Sequence, residues 1–189
     1  GIEIDALNRD TWVQYNYVHD NSGGCIMWCN TDTLRGFRGI YRYNIFQNDL
    51  TKHGVIDWRW NHKDSMAYNN VFYFGELPEG ANARVFMNNG YAQGTSDAKF
   101  YNNIFYNLDD FELNTFNEQE IDWERNIFYG FDSVPANDST IITEDPKFVN
   151  PGSGTFGIDS VEGYKLQADS PAINAGLNID NNGGRDYFG

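Results

Sequence analysis

Short runs of β-branched and aromatic residues recur along this chain, bounded by asparagine, glycine and aspartate. The phrases are Tyr15-Asn16-Tyr17-Val18, Tyr43-Asn44-Ile45-Phe46, Asn69-Asn70-Val71-Phe72-Tyr73, Asn102-Asn103-Ile104-Phe105-Tyr106 and Arg125-Asn126-Ile127-Phe128-Tyr129. Aligned on Asn16, Asn44, Asn70, Asn103 and Asn126, they stand 28, 26, 33 and 23 residues apart. No Ala- and Leu-rich stretch follows a helical period. The composition of the phrases reads as strands separated by turns. A unit of about 25 residues accommodates three short strands and three turns, and units of that kind stack as a parallel β-helix with coils ~4.8 Å apart. The expected fold is therefore all-β, with coils at residues 1–24, 25–54, 55–81, 82–110 and 111–135. The asparagine is expected to supply the left-handed backbone of a sharp bend and to bond along the stack.

Composition narrows the function. The 189 residues carry 27 acidic and 13 basic side chains, a net charge of −14, with 40% hydrophobic and 16% aromatic residues. That aromatic mass excludes a disordered chain, and the acidic excess argues against nucleic acid as a partner. No apolar run approaches the ~20 residues of a membrane-spanning helix. The cysteines of Cys25-Ile26-Met27-Trp28-Cys29 would lie about 13 Å apart on one side of a strand, too far for a disulfide, and read as two buried thiols of a core stack. No other Cys or His pair stands near them to complete a metal site.

From about residue 136 the pattern changes. Asp145-Pro146-Lys147-Phe148, Ser170-Pro171-Ala172-Ile173-Asn174-Ala175-Gly176 and Gly184-Arg185-Asp186-Tyr187-Phe188-Gly189 together resemble the end of secreted right-handed parallel β-helix proteins of the pectate-lyase-like superfamily. Glu3-Ile4-Asp5 with Tyr15-Asn16-Tyr17 and His19-Asp20-Asn21 through Gly23-Gly24 is similar to carbohydrate-active members of that superfamily. The resemblance implies about five right-handed coils over residues 1–135, C-terminal coils or a closing segment of the same domain over 136–189, and secretion or display at the cell surface. The opening Gly1-Ile2-Glu3-Ile4-Asp5 already reads as a strand with an open edge, so preceding coils are expected, on the same parent chain or on a second chain.

Alternation turns Ile2 and Ile4 inward and Glu3 and Asp5 outward. In Val55-Ile56-Asp57-Trp58-Arg59-Trp60-Asn61, burying Ile56 and Trp58 exposes Asp57, Arg59 and Asn61, which costs less than burying the charges. Asp57 and Asp64 flank the turn Asn61-His62-Lys63, and two carboxyl groups across one cleft are what glycoside hydrolysis requires. Their seven-residue spacing resembles that of the catalytic aspartates of β-helix lacto-N-biosidases. In that reading Glu3, Asp5, His19 and Arg59 contact substrate, and Trp58, Trp60 or Tyr68 stacks on a sugar ring. Hydrolysis by two carboxyl groups needs no cofactor. Calcium is conceivable at acidic clusters such as Asp109, Asp110 and Glu112, and no metal residue is assigned. Two alternatives remain open: a calcium-dependent polysaccharide lyase with Arg59 or Lys63 as base, and a non-catalytic glycan-binding or adhesin stalk. The charge of −14 disfavours the polyanionic substrate of a lyase. No Walker A loop, Gly-x-Ser-x-Gly elbow or His-Glu-x-x-His motif is present.

Overall fold

A computed structural model describes residues 1–29, 36–49, 55–59, 62–81, 84–87, 98–113 and 121–189, with the side chains of Trp58, Arg59 and Met87 outside the described set. The chain is an all-β parallel solenoid. Its first turn holds β1 (Ile2–Ile4), β2 (Arg9–Gln14) and β3 (Tyr17–His19), and its second holds β4 (Ile26–Cys29), β5 (Gly36–Arg42) and β6 (Ile45–Gln47). The third holds β7 (Ile56–Arg59), β8 (His62–Lys63), β9 (Ser65–Tyr68) and β10 (Val71–Phe74). These three turns place a strand of at least three residues in every sheet. Beyond them come β11 (Phe86–Met87), β12 (Ala98–Tyr101), β13 (Ile104–Asn107), β14 (Ile121–Glu124) and β15 (Ile127–Tyr129). The first sheet runs β1-β4-β7-β11, the second β14-β12-β9-β5-β2 with β8 beside β5, and the third β15-β13-β10-β6-β3. Every pairing between these strands is parallel.

The core follows from the pleat. In the third sheet, Val18, Phe46, Phe72, Phe105 and Phe128 share one register column. Successive phenyl rings stack at 5.1, 4.8 and 4.7 Å. These separations match the spacing between strands, so each ring fills the distance to the next turn without a gap. The second sheet contributes Val13, Tyr41, Ala67, Phe100 and Trp123. The first contributes Ile4 and Trp28, with Ile26, Ile56 and Phe86 in the alternate column. No turn could bury this face alone, so stability is cooperative along the axis.

The five repeat asparagines form a continuous ladder. Asn16 Nδ2 donates to Asn44 Oδ1 at 2.9 Å, Asn44 Nδ2 to Asn70 at 2.9 Å, Asn70 Nδ2 to Asn103 at 3.0 Å and Asn103 Nδ2 to Asn126 at 3.0 Å. Each Oδ1 also accepts the backbone N–H of the asparagine one turn before it, at 2.9–3.1 Å. The second Nδ2 proton of Asn44, Asn70, Asn103 and Asn126 goes to the carbonyls of Val13, Tyr41, Ala67 and Phe100. Two donors and two accepted bonds use the full capacity of an amide side chain. Satisfaction of this kind is what permits Asn44, Asn70, Asn103 and Asn126 to be 0–1% exposed.

The bend itself is made elsewhere than expected. Positive φ belongs to the preceding residues Tyr15, Tyr43, Asn69, Asn102 and Arg125, at 52–57°, and not to the ladder asparagines. A left-handed residue there turns the backbone so that the next side chain points into the core. Cys25 is fully buried, with its Sγ 3.2 Å from the Val55 carbonyl. Cys29 is only half-buried on the outer face of β4, so the expected pair of buried thiols on one side is not formed. Cys25 precedes the strand, and its position in the bend breaks the alternation that would have put both on one face.

Residues 136–189 follow a different principle. Ile142 bridges Ile127 at the edge of the third sheet, Phe148 bridges Leu166, and a 3-10 helix spans Ile158–Tyr164. Phe148, Val161 and Tyr164 join Ile45, Tyr73 and Tyr106 in a second apolar cluster on the outer face of the third sheet. The tail then runs back along the axis. Leu177 is held by both ends of the Asn102 amide, the Asn181 carbonyl by Arg42, and the Arg185 carbonyl lies 3.5 Å from the Tyr15 hydroxyl. Gly183, at φ 99°, passes where a Cβ would come within 2.9 Å of that hydroxyl.

Two outcomes follow. Asn70→Ala orphans donors and acceptors on both neighbouring turns, and at ~1–3 kcal/mol for each orphaned buried group it should cost on the order of 3–5 kcal/mol in denaturant unfolding. Asn16→Ala, at the half-buried end of the ladder, should cost clearly less, and equal losses would show that the ladder does not carry the corner. Asp49 provides a second case, since its Oδ1 accepts Asn21 Nδ2 at 2.7 Å and Asn21 N at 3.0 Å. Burial raises its carboxyl to about 6, against bonds from Asn21 that favour the charged form. The folded value exceeds the unfolded one, so the protein should lose stability as pH climbs from about 4 to above 6. Asp49→Asn should flatten that decline, and a wild-type stability curve level across that window would refute it.

Candidate functional site

Asp57 lies in β7 on the outer side of the first sheet. Its register partners are Met27 and Met87, and Met27 in turn pairs with Glu3. The outward register is as expected, but the exposure is not, because Asp57 is only 3% accessible. Glu3 shares its column, two turns or roughly 10 Å away. Asp5 and Glu3 lie beside Cys29, with one ligand atom of each within 4.8 Å of the others. Cys29 pairs in register with Arg59. A thiol among two exposed carboxylates is a poor cage for calcium, which prefers oxygen ligands throughout.

Asp64 stands across the corner, at the start of the second sheet. It is exposed, with φ 54°, and forms the third member of a column of left-handed charged residues, after Asp10 (φ 53°) and Arg38 (φ 50°). The registers of β2, β5 and β8 with β9 set these three at successive levels. Arg38 makes a bidentate contact to Asp10, and that hydrogen bond holds the Asp10 carboxyl below the usual carboxylate range. The same bond raises the guanidinium of Arg38, to which Asp64 adds a smaller attraction. Aspartate tolerates this backbone better than arginine does, so Arg38 is the strained member.

The face that begins at this column is the outer side of the second sheet. One outward row is Trp12, Ile40, Met66, Lys99 and Asp122, and the next is Gln14, Arg42, Tyr68, Tyr101 and Glu124. Trp12 is 48% exposed, and the Arg42 guanidinium lies 4.1 Å from its ring centroid. Arg42 is fixed by Gln14 Oε1 at 2.7 Å, the Tyr68 hydroxyl at 2.9 Å and the Asn181 carbonyl at 2.9 Å. The indole is thus a rigid apolar plate with one side open, two turns from Asp64. Tyr101 donates to Asp122, and burial followed by that carboxylate raises its phenol.

The remaining expected residues are distributed widely. Tyr68 is 3% exposed beneath Arg42 and edge-on to Tyr43 at 6.1 Å, so it offers no free ring face. His19 is on the outer side of the third sheet, stacked on Tyr17 at 4.6 Å and 2.8 Å from Asp20, away from the Asp57 and Asp64 corner. Trp60 lies outside the described residues, as do the side chains of Trp58 and Arg59. The fold therefore sets Asp57 and Asp64 on either side of one corner, keeps Glu3 and Asp5 on the first face, and separates His19 from them all. Trp12 and Arg42 escaped the sequence reading. Counting back from Asn16 and Asn44 places Gln14 opposite Arg42 and Trp12 opposite Ile40, which was the available signal.

No protein-family model matches the chain. The chain is 28% identical, over 187 residues and 88% of its length, to a lacto-N-biosidase of Bifidobacterium longum subsp. longum. It spans 11% of the length of that relative.

The charged column has a direct test. Replacing Arg38 by Ala should move the Asp10 titration midpoint upward into the ordinary range in an NMR pH titration, because the bond that stabilises the carboxylate is gone. The associated stability is present above the unfolded pKa and lost as pH falls through the folded one. An unchanged midpoint would mean that Arg38 and Asp10 do not interact in solution.

Proposed function

We propose that this chain belongs to a secreted glycoside hydrolase, lacto-N-biosidase-like, that acts on an oligosaccharide or glycan through Asp57 and Asp64. The observation that carries the reading is the 28% identity to a lacto-N-biosidase across 88% of this chain, on a parallel β-solenoid. The two aspartates lie on either side of one corner, and Trp12 supplies a fixed aromatic plate on the adjoining face. One carboxyl group would protonate the leaving oxygen. The other would attack the anomeric carbon or activate water, according to whether the pair stands ~5–5.5 Å or ~6.5–9.5 Å apart. The partner is a carbohydrate. A further coil, of a longer chain or a second one, would stack on β1, β2 and β3, each of which ends its sheet.

The intact protein, incubated with a glycan panel, should release new reducing ends without the absorbance of unsaturated uronates, and a chelator should leave the rate unchanged. Asp57→Asn and Asp64→Asn should each lower kcat by ~100-fold or more while the circular dichroism spectrum stays the same. Full activity in both variants refutes the site. Unsaturated products would instead identify a lyase, and no product at all would leave a binding stalk.

A further inference from the structure

A cleft of about 680 Å³ separates the outer face of the third sheet from the carboxyl-terminal segment, and neither Asp57 nor Asp64 lines it. Its floor is the aliphatic column Ile45, Val71, Ile104 and Ile127, in register on four neighbouring strands. One wall carries Phe148, Tyr164 and Leu166, and the other is formed by the tail around Ala175 and Phe188. Ile173, Leu177 and Phe188, at its mouth, are 43%, 36% and 38% exposed. Apolar side chains left open around a concave site mark a binding surface. The Phe188 ring is steadied by Tyr187, edge-on at 5.5 Å, and by Lys165 Nζ at 5.2 Å.

The polar lining selects among occupants. Lys165 is paired with Glu162 at 2.5 Å, which leaves Arg125 and Asp186 as one charge of each sign. The charges cancel, so a neutral ligand is favoured. The side chains of Asn69 and Arg125, which line the cleft at the bends beside that floor, would be stripped of water by an acyl chain. An extended peptide would need a free strand edge, but β6, β10 and β13 are paired on both sides, and the outer edge of β15 is taken by Ile142. A pyranose ring has what remains: an apolar face for aliphatic and aromatic side chains, and hydroxyls for amide and guanidinium groups. The volume lies within the ~300–1,000 Å³ of small-molecule sites.

The geometry points to a second, non-catalytic binding site for a neutral mono- or disaccharide in this cleft. The ligand class rests on the carbohydrate reading above, while the location does not. The test is titration of the intact chain with glucose, galactose, N-acetylglucosamine, maltose and lactose, followed by saturation-transfer NMR and calorimetry. At least one sugar should bind saturably. Ala175→Phe, which fills the cleft, should abolish that binding, and Phe188→Ala, at the exposed mouth, should weaken it by about fivefold or more. Leu108→Ala, exposed and outside the cleft, should bind as the wild type does. Failure of every sugar to bind, or unchanged binding in both cleft variants, overturns the site. Cleft binding, with no cleavage of any member of the glycan panel, sustains the site and removes the hydrolase reading. Hydrolysis without cleft binding does the reverse.

Discussion

The structure depends on the amide ladder from Asn16 to Asn126. A solenoid corner leaves backbone N–H groups turned toward the interior, out of register with the sheets, and burial makes each unpaired group costly. An asparagine on the next turn accepts both the backbone N–H and the side-chain N–H of the one before it, and passes its own protons onward. The ladder thereby sets the vertical spacing of the turns. The same spacing allows the phenyl stack of Phe46, Phe72, Phe105 and Phe128 to close without voids. Polar satisfaction and apolar packing agree on one repeat distance, and that agreement makes the stack cooperative.

Given that frame, the outer faces are free to vary and carry the chemistry. Each turn contributes one residue to each outward column, so side chains far apart in sequence meet by register alone. Asp10, Arg38 and Asp64 form an alternating charged column in this way. Trp12 is set by Arg42, which is itself fixed by the tail through Asn181. The tail thus does more than cover the third sheet. It orients a guanidinium beneath an exposed indole on the second, and it walls the cleft on the third.

Much of this was legible from the repeat. The ladder asparagines and the outward register of Asp57 follow from spacing and alternation, because a stack of turns repeats its local rules. What escaped had non-local causes. Positive φ sits one residue before each ladder asparagine, because orienting the amide inward matters more than the turn preference of the asparagine itself. Tyr68 reads as an outward aromatic, yet Arg42, itself held by the returning tail, bonds its hydroxyl, and Tyr43 packs edge-on against its ring. Asp57 faces outward, yet it is only 3% exposed.

The sequence by itself determined the architecture, since a repeated asparagine followed by an alternating apolar run admits few arrangements that satisfy both amide and core. It also singled out two aspartates bracketing one corner. Only the tertiary structure decided which outward side chains are open, which are covered and which touch. Those outcomes depend on the return of residues 142–189 across the solenoid, a packing of segments up to 170 residues apart, and no local pattern encodes where that tail comes to rest.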